Sequence, residues 1–366
     1  MKKILLVMEL PPPIHGQSTI NKQVADILKD AGFPCIIINS GLSKTMGVKG
    51  KVTLEKFVLL FKLFYEVLKV SIFRKCKISY ISIYPFGVPF LIYFIITLVL
   101  KHVGHNKIVL HLHAKGIKDK IENSILLKKC YVYLFNHTDV VIHLSNNLIK
   151  DILDVTELNK IRIIPNAVEM PEEILRKNSP HNPLRVLFLS NMVVAKGCLV
   201  TLEAAKRLLL SDEPFEFWFV GSWVQSNVVK EFESVLKDDR FRNSIKYFGP
   251  KYGDDKERIL CESDIFIFPS SDECLPLVLI EAMQCGLPII TSDIGAIPEM
   301  VKTGINGYLI EKITPEALVD ALLNFSRNPS LVNKMGGNSK LIYRSNYNYD
   351  LFKRNIIGLF KELIDN

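Results

Sequence analysis

The sequence lacks the cysteine spacings that mark metal sites and redox pairs. Its seven cysteines are scattered along 366 residues, and no two of them form a Cys-x-x-Cys. This distribution is typical of reduced, mostly buried thiols, and it argues against a disulfide-stabilised secreted fold or a zinc module. An Asp-x-Asp pair is also missing. We therefore predict a cytoplasmic protein that binds no metal and no resident cofactor.

Two longer patterns are missing as well. No Gly-x-Gly-x-x-Gly follows the first apolar run, which argues against a dinucleotide dehydrogenase. The most apolar helical segment, residues 86–100, has 15 residues. A membrane-spanning helix needs roughly 20, so we interpret the segment as a buried helix of a cover layer. Met1, Lys2 and Lys3 lead directly into ILLVM without a cleavage site, so we expect no signal peptide.

Charge is distributed unevenly between the two halves of the chain. Residues 1–170 contain 23 Lys and Arg against 12 Asp and Glu, whereas residues 171–366 contain 23 against 26. The first half therefore carries a net charge of +11 and the second a net charge of −3. This asymmetry indicates that the first half faces an anionic partner, either a membrane surface or a phosphate-bearing substrate. We predict no nucleic-acid partner, because no aromatic-basic module is present.

Short apolar runs alternate with helix-length segments through both halves. The runs are 3–8, 35–39, 78–84, 107–113, 139–145 and 161–165, then 185–190, 216–221, 245–249, 264–269, 288–291 and 307–310. Because they are apolar nearly throughout, they predict parallel strands that are covered on both faces. Two successive sets of five or six such runs predict two doubly wound α/β domains. The proline-containing segment 170–183 is interpreted as the linker between them.

The segment 52–75 combines an apolar helical pattern with basic residues. Its cations are Lys56, Lys62, Lys69, Arg74 and Lys75. A helix of this kind either packs inside the domain or lies on an anionic membrane surface. We predict contact with the cytoplasmic face of a membrane. The alternative is that 52–75 is buried and that the positive charge serves a soluble, phosphate-bearing acceptor.

The most informative stretch of the sequence is 270–310. After the apolar run 264–269 comes a polar turn, and Pro276 then occupies the position at which a helix would begin. Residues 277–285 fit a short helix that Gly286 ends. The free backbone N–H groups of Leu277 and Val278 would form an anion site that suits a diphosphate.

Two glutamates flank this predicted anion site. Glu273 precedes the helix, and Glu281 lies about one turn into it, roughly 5–6 Å further along. Carboxylates at these two points can accept hydrogen bonds from hydroxyl groups, one beside a sugar and one beside a ribose. A solvated surface charge is the ordinary interpretation of any single glutamate.

The arrangement Glu273, seven residues, Glu281, then Ala-Met and Gly-x-Pro resembles the signature of the family 4 retaining glycosyltransferases. The resemblance covers nearly the whole chain. It implies a GT-B fold, with two Rossmann-like doubly wound domains facing a central cleft. It also implies an acceptor-side domain at 1–172, a nucleotide-sugar domain at 183–344, and a C-terminal helix, 345–366, that packs back on the first domain.

The same resemblance assigns functions to the two glutamates. Glu273 matches the family residue that contacts the transferred sugar, and Glu281 matches the one that contacts the ribose. The implied reaction moves a sugar from a nucleotide diphosphate with retention of configuration and usually without metal. At the position of Cys274 the family usually has glycine, which leaves open how closely this loop approaches the sugar. We do not expect Cys274 to be a nucleophile.

A second stretch, SNMVVAKG at 190–197, resembles the family loop that holds the diphosphate with Arg and Lys. Lys196 and Gly197 match, but Asn191 stands where arginine is usual. The resemblance therefore makes Lys196 the main cation beside the leaving group, with Asn191 as a neutral donor. Gly221, after another apolar run, resembles a family glycine turn near the base, with Trp223 in place of its second glycine.

The first half contains matches that are partial. The turn 11–21 stands where the family has a glycine-rich loop that touches donor sugar and acceptor, and His15, Gly16 and Gln17 are its candidate contacts. His113 ends the run 107–113 and matches a histidine near the reacting sugar, with His111 as the second choice. Two further short segments, one containing Ser145 and one containing Asn166, resemble family segments and occur in the same order along the chain.

The residues and the resemblance together predict a glycosyltransferase of surface-polysaccharide synthesis, in O-antigen, capsule or lipopolysaccharide. We expect it to act on a glycan or a lipid-linked glycan at the inner face of the cytoplasmic membrane. Two alternatives stay open: a GT-B nucleotide-sugar epimerase, and a weakly active partner subunit of another transferase. The sequence does not identify the sugar, the nucleotide base (UDP or GDP), the acceptor or the oligomeric state.

Overall fold

A computed structural model describes residues 2–41, 54–74, 76–168 and 179–365, except for the side chains of 54–57. Much of the predicted linker 170–183 therefore lies outside the described residues, as do Lys75 and the side chain of Lys56. The chain forms two compact units, here named unit 1 and unit 2. Unit 1 comprises Met1–Ala167 and Tyr349–Asn366, and unit 2 comprises Val168–Asn348.

Unit 1 is built on a parallel sheet of six strands. The strands are β1 (Ile4–Met8), β2 (Cys35–Asn39), β3 (Ile78–Ile83), β4 (Lys107–Leu112), β5 (Val140–His143) and β6 (Ile161–Ile163), in the order β2-β1-β3-β4-β5-β6. Its first five helices are α1 (Gly16–Asp30), α2 (Leu54–Phe73), α3 (Gly87–His102), α4 (Ile117–Glu122) and α5 (Ile125–Asn136). The direction of strand progression reverses between β1 and β3, which places the switch point of this sheet there.

Unit 2 contains the second parallel sheet. Its strands are β7 (Leu184–Leu189), β8 (Phe215–Val220), β9 (Ile245–Tyr247), β10 (Ile265–Phe268), β11 (Ile289–Ser292) and β12 (Gly307–Ile310), in the order β12-β11-β10-β7-β8-β9. The helices are α6 (Cys198–Leu210), α7 (Ser226–Leu236), α8 (Gly253–Cys261), α9 (Leu277–Gln284), α10 (Ile297–Met300), α11 (Pro315–Arg327) and α12 (Ser330–Asn346). Here the switch point lies between β7 and β10.

The predicted strands are confirmed in both units. Each of the twelve apolar runs contains a strand, and every pair of neighbouring strands is parallel. All side chains of β1, β3 and β8 are buried. A continuous apolar run of this kind follows from a sheet with helices on both faces, since neither face of the strand meets water.

The last helix, α13 (Tyr349–Asp365), belongs to unit 1 although it follows the whole of unit 2 in sequence. It buries Phe352, Ile356 and Phe360 at helical spacing and packs against α1. The ring of Phe360 lies 6.2 Å from that of Tyr80 on β3. The predicted helix over 351–364 is therefore present, and it closes the hydrophobic core of unit 1.

The interpretation of 86–100 as a buried helix is right for only one face of α3. Phe90, Ile96 and Leu100 are buried, whereas Leu91 and Ile95 are about half exposed. The neighbouring helix α2 likewise exposes large apolar side chains, including Phe61 and Phe73, each 74% exposed. Because both helices are apolar nearly all round, burying one face leaves the other in solvent. Within the described residues, no helix has the length and apolarity needed to cross a membrane.

Candidate active site

The strongest candidate site lies in unit 2, at the carboxyl ends of the adjacent strands β7 and β10. Two loops meet there, residues 190–197 after β7 and residues 269–276 after β10. The backbone N–H and the hydroxyl of Ser271 donate to the Ala195 carbonyl at 2.8 and 3.1 Å. These bonds fix the two predicted donor-binding loops against each other at the place where doubly wound sheets bind ligands.

Lys196 and Glu273 come together across the two loops. The ammonium of Lys196 donates to Glu273 Oε1 at 2.5 Å. Gly197 follows the lysine with φ +84°, and a Cβ there would lie 2.3 Å from the Pro269 carbonyl oxygen. The sequence match at Gly197 is thus explained by a left-handed backbone pressed against the neighbouring loop. The glycine lets Lys196 approach the loop that carries Glu273.

The helix α9 begins directly after the second loop. Pro276 is its N-cap residue, so Leu277 and Val278 are its first two residues, and their N–H groups have no acceptor within the helix. Gly286 follows the helix with φ +71°, as predicted for a stop signal. The partial positive charge of this end suits an anion. An anion bound there would lie next to the loop that holds the Lys196–Glu273 pair.

The loop before α9 is held from the other side by residues 293–296. The N–H of Ala296 donates to the Cys274 carbonyl at 2.9 Å. Gly295 has φ +57°, and a Cβ there would lie 2.3 Å from the Glu273 carbonyl oxygen. Contacts of this kind hold the backbone of Glu273 and Cys274 in place. They leave the Cys274 side chain half-buried.

Glu281 lies inside unit 2, one turn along α9. The residue is 8% exposed, and Lys256 of α8 donates to Oε1 at 2.6 Å. The second oxygen, Oε2, is buried and has no hydrogen-bond partner among the described residues. Burial raises the pKa of Glu281, and the charge of Lys256 opposes that rise. The carboxylate therefore retains an unused acceptor inside the site.

The predicted turn after β8 is also at this edge of the sheet. The N–H of Gly221 donates to the Gly249 carbonyl at 3.0 Å, and the Tyr247 hydroxyl donates to the Gly221 carbonyl at 2.7 Å. The indole of Trp223 stacks on the Tyr247 ring with 4.0 Å between centroids. A flat aromatic pair thus follows the glycine, where the resemblance implies a base-binding turn. Asn191 lies on the neighbouring loop and is exposed.

In unit 1, the candidates after β1 are held by the start of α1. His15 is the N-cap residue: its Nδ1 accepts from the Ser18 N–H at 3.4 Å, and its Nε2 lies 3.3 Å from Glu9 Oε1. Gly16 is the first residue of α1, and Gln17 donates to the Ser82 hydroxyl of β3 at 3.0 Å. His15 and Gln17 thus already have polar partners within unit 1, whereas Gly16 is exposed.

The structure places the partly buried His113 beside two buried histidines, His111 and His143. Its ring lies 4.0 Å from that of His111, and His143 at the end of β5 is close enough that its protonated form would disfavour protonation of both. Burial lowers the pKa of all three, to about 3 for His113, to about 4 for His143 and well below the usual value for His111. These side chains are therefore neutral near pH 7. The Nε2 atom of each is buried without a hydrogen-bond partner among the described residues.

Sequence reasoning did not find several polar residues of these sites. Tyr80 on β3 lies within 2.5 Å of His111 Nδ1, His143 ends β5, and Lys256 pairs with Glu281. Tyr80 and His143 both stand inside apolar runs, Tyr80 in the middle of β3 and His143 at the end of β5, and a polar side chain in such a run is a signal that could have identified them. Lys256 gives no such signal, because it is an ordinary helix residue 25 positions before its partner.

Comparison with known families gives a match over the second half of the chain. Residues 170–341 match the family described as Glycosyl transferases group 1. Among curated proteins, the chain is 28% identical over 209 residues to the amylovoran biosynthesis glycosyltransferase AmsK of Erwinia amylovora. That alignment covers 55% of this chain and 50% of AmsK, so the chain spans about half the length of this relative.

Solved structures resemble the chain over its whole length. The structure of Anabaena Alr3699/HepE in complex with UDP has a TM-score of 0.74 and 17% identity, and covers 99% of this chain and 100% of that one. A glycosyltransferase from Rickettsia africae has a TM-score of 0.75 and 21% identity, with 100% and 99% covered. At these identities the likeness concerns the fold, which is two doubly wound units of the kind found in glycosyltransferases.

Proposed function

We propose that this chain, which carries a group 1 glycosyltransferase domain in a GT-B fold, is a retaining glycosyltransferase. It transfers a sugar from a nucleotide-diphosphate sugar to a glycan or a lipid-linked glycan. The observation that carries the proposal is the arrangement in unit 2. Lys196 and Glu273 are paired beside the free N–H groups of α9, and the buried Glu281 lies one turn further along.

In the proposed reaction the diphosphate is the leaving group. Its oxygens bind at the N-terminus of α9 and to Lys196, which stabilise the negative charge that develops as the bond to the sugar breaks. Glu273 exchanges part of its contact with Lys196 for hydroxyls of the transferred sugar. Glu281 Oε2 accepts hydrogen bonds from the ribose, and the Trp223–Tyr247 pair stands near the base.

The acceptor hydroxyl attacks the anomeric carbon from the face that the diphosphate leaves. The C–O bond to the diphosphate breaks with its electron pair, and the acceptor proton passes to the departing phosphate oxygen. The new glycosidic bond therefore keeps the original configuration. No protein nucleophile is required, and positioning of the two substrates supplies much of the rate. The neutral His113 is assigned as a hydrogen-bonding contact of the reacting sugar.

The chemical context supports a polysaccharide substrate. AmsK is named for amylovoran biosynthesis, and the Alr3699/HepE structure contains UDP. We therefore propose that this chain uses a UDP- or GDP-sugar as its donor and a surface glycan as its acceptor.

The test is to incubate the protein with UDP-, GDP- and ADP-sugars, with and without a lipid-linked glycan fraction. Release of the nucleoside diphosphate that depends on the acceptor supports the proposal. Formation of the epimeric nucleotide sugar without acceptor would assign an epimerase instead. Donor binding without release under any condition would favour the weakly active partner subunit.

We expect the transferase activity to be independent of divalent metal. Lys196 and the N–H groups of α9 can neutralise the diphosphate, which a metal ion does in other transferases. Turnover measured after dialysis against EDTA should match that of the untreated protein within about twofold, a difference of roughly 0.4 kcal/mol. Loss of activity on EDTA treatment, with recovery on adding Mg²⁺ or Mn²⁺, would contradict this expectation.

We also propose that unit 1 binds the anionic face of a membrane. Helices α2 and α3 pack together and expose apolar side chains on their outer surfaces, and α5 adds Ile125 and Leu126, which are 78% and 72% exposed. The cations Lys62, Lys69 and Arg74 are exposed on or directly after α2. Apolar side chains beside positive charge fit a lipid interface, where each cation contributes about 1 kcal/mol.

Vesicle flotation tests this membrane proposal. Replacing Lys62, Lys69 and Arg74 by glutamine should lower binding to phosphatidylserine-containing vesicles at least tenfold, by roughly 1.4 kcal/mol or more. The matched control removes the same charge from unit 2 by replacing the exposed Lys230, Lys237 and Lys334, and should bind nearly as wild type. Equal losses in both variants, or no binding of the wild type at low salt, would overturn the proposal.

A further inference from the structure

Lys256 reaches Glu281 from a different helix of unit 2. It lies on α8, whereas Glu281 lies on α9, and the ammonium meets Oε1 at 2.6 Å. The lysine side chain is itself only 25% exposed, and the glutamate side chain 10%. The pair is thus partly shielded from water. An ionic hydrogen bond is stronger in such a partly buried position than at the surface.

The two oxygens of the Glu281 carboxylate are in different situations. Oε1 accepts from Lys256, and Oε2 is buried with no hydrogen-bond partner among the described residues. A buried acceptor without a partner costs free energy unless a ligand satisfies it. Among the described residues, the charged groups that act on this carboxylate are Lys256 and Glu257, both on α8. Lys256 favours the ionised form, and Glu257 and burial oppose it.

We propose that Lys256 is a positioning residue that orients Glu281 for the ribose of the bound nucleotide. It holds Oε1, so that Oε2 is presented as an ionised acceptor for the ribose hydroxyls. The inference rests on the proposed function, since it takes Glu281 as the ribose contact. It adds a residue on α8 that sets how well this contact is made.

Loss of the lysine changes the carboxyl group in a specific way. Without Lys256, the buried Glu281 takes up a proton more readily, because burial and Glu257 then act unopposed. A protonated carboxyl group is a weaker acceptor than a carboxylate and is free to rotate. Ribose binding should therefore weaken, and it should recover as rising pH restores the ionised form.

The experiment measures nucleotide binding by calorimetry on the full-length protein between pH 6 and pH 8.5. UDP and GDP are titrated into the wild type, and the one that binds more tightly is used throughout. Lys256→Met should bind about thirtyfold more weakly at pH 6 and only a few-fold more weakly at pH 8.5. Dividing the affinity of the variant by that of the wild type at the same pH cancels the titration of the nucleotide itself, whose phosphate has a pKa of about 6.

The matched control is Arg258→Met on the same helix. Arg258 is exposed and pairs with Asp255 at 3.5 Å, so its loss should leave both affinity and pH profile unchanged. Lys256→Arg should restore most of the affinity, because it retains a cation at the same position. If Lys256→Met does not fold, Lys256→Gln gives the same comparison with a polar side chain. A wild-type affinity and a wild-type pH ratio in the folded variant would overturn the inference.

A double-mutant cycle separates this inference from the proposed function. If Lys256 acts through Glu281, then Lys256→Met should add nothing to the loss caused by Glu281→Gln. If the fold loss of affinity in the double variant equals the product of the two single losses, Lys256 contacts the nucleotide directly. That result contradicts a positioning role. Unchanged affinity in Glu281→Gln would instead refute the ribose contact, and with it this part of the proposed function.

Discussion

Replacing Lys196 by alanine is expected to lower turnover at saturating donor by about 10²–10³, a loss of roughly 2.7–4 kcal/mol of transition-state stabilisation. The lysine is the cation that the structure places at the loop junction, paired with Glu273 at 2.5 Å. The negative charge of the diphosphate grows as the sugar departs, so the loss should fall on kcat more than on donor binding. Steady-state kinetics and calorimetry with the nucleotide measure the two separately.

The control for this substitution is Lys206→Ala. Lys206 belongs to the same unit and pairs with Glu203 at 2.9 Å on the surface of α6, so its loss should leave turnover nearly unchanged. Near-normal turnover of Lys196→Ala at saturating donor would contradict the assignment. Asn191→Arg, which adds a cation on the same loop, should recover part of the activity lost in the Lys196 variant.

Gly221→Ala is expected to destabilise unit 2 by at least about 3 kcal/mol. A Cβ at this position would lie 1.8 Å from the Ser190 carbonyl oxygen and 2.6 Å from its carbon, and φ is +150°. Neither backbone can move away easily, because the Ser190 N–H donates to the Val220 carbonyl at 3.0 Å. Chemical denaturation of the purified variant, or its failure to accumulate as folded protein, measures the effect.

Gly304→Ala separates the two causes of this loss. Gly304 has φ +79° and no atom within 4 Å of its added Cβ, so it tests the left-handed backbone without a clash. It should cost only about 1–2 kcal/mol. Equal stability losses at the two positions would show that close packing of Gly221 against Ser190 is not the main effect. The sequence match at Gly221 would then need a ligand contact to explain it.

The sequence was sufficient to predict the strands and their grouping. Runs such as ILLVM in β1 and the aromatic run in β8 have no polar face, and only a sheet covered on both sides accommodates that pattern. The two predicted donor-binding loops were located through their resemblance to family segments that follow apolar runs, and these segments contain Lys196, Gly197 and Glu273. Their hydrogen-bonded junction in the structure follows from the parallel order of β7 and β10.

Contacts between segments that are far apart in the chain could not be predicted from the sequence. Lys256 stands on a helix with several other charged residues, and only the packing of unit 2 brings it to Glu281. The same is true of Tyr80, which reaches His111 because β3 and β4 are neighbours in the sheet. The exposed face of α3 was missed for a related reason. An apolar segment without a polar stripe does not indicate which of its sides will be covered.

The position of α13 has a consequence for biosynthesis. Unit 2 is one continuous stretch of chain, so it can fold on the ribosome as soon as residues 168–348 have emerged. Unit 1 is begun first, but its core includes Phe352 and Phe360, which are translated after unit 2 is complete. Until α13 has been synthesised, it cannot cover Tyr80 and the surface of α1 in the nascent first unit. We expect this uncovered apolar surface to make the nascent first unit more prone to aggregation during this interval than after α13 has packed.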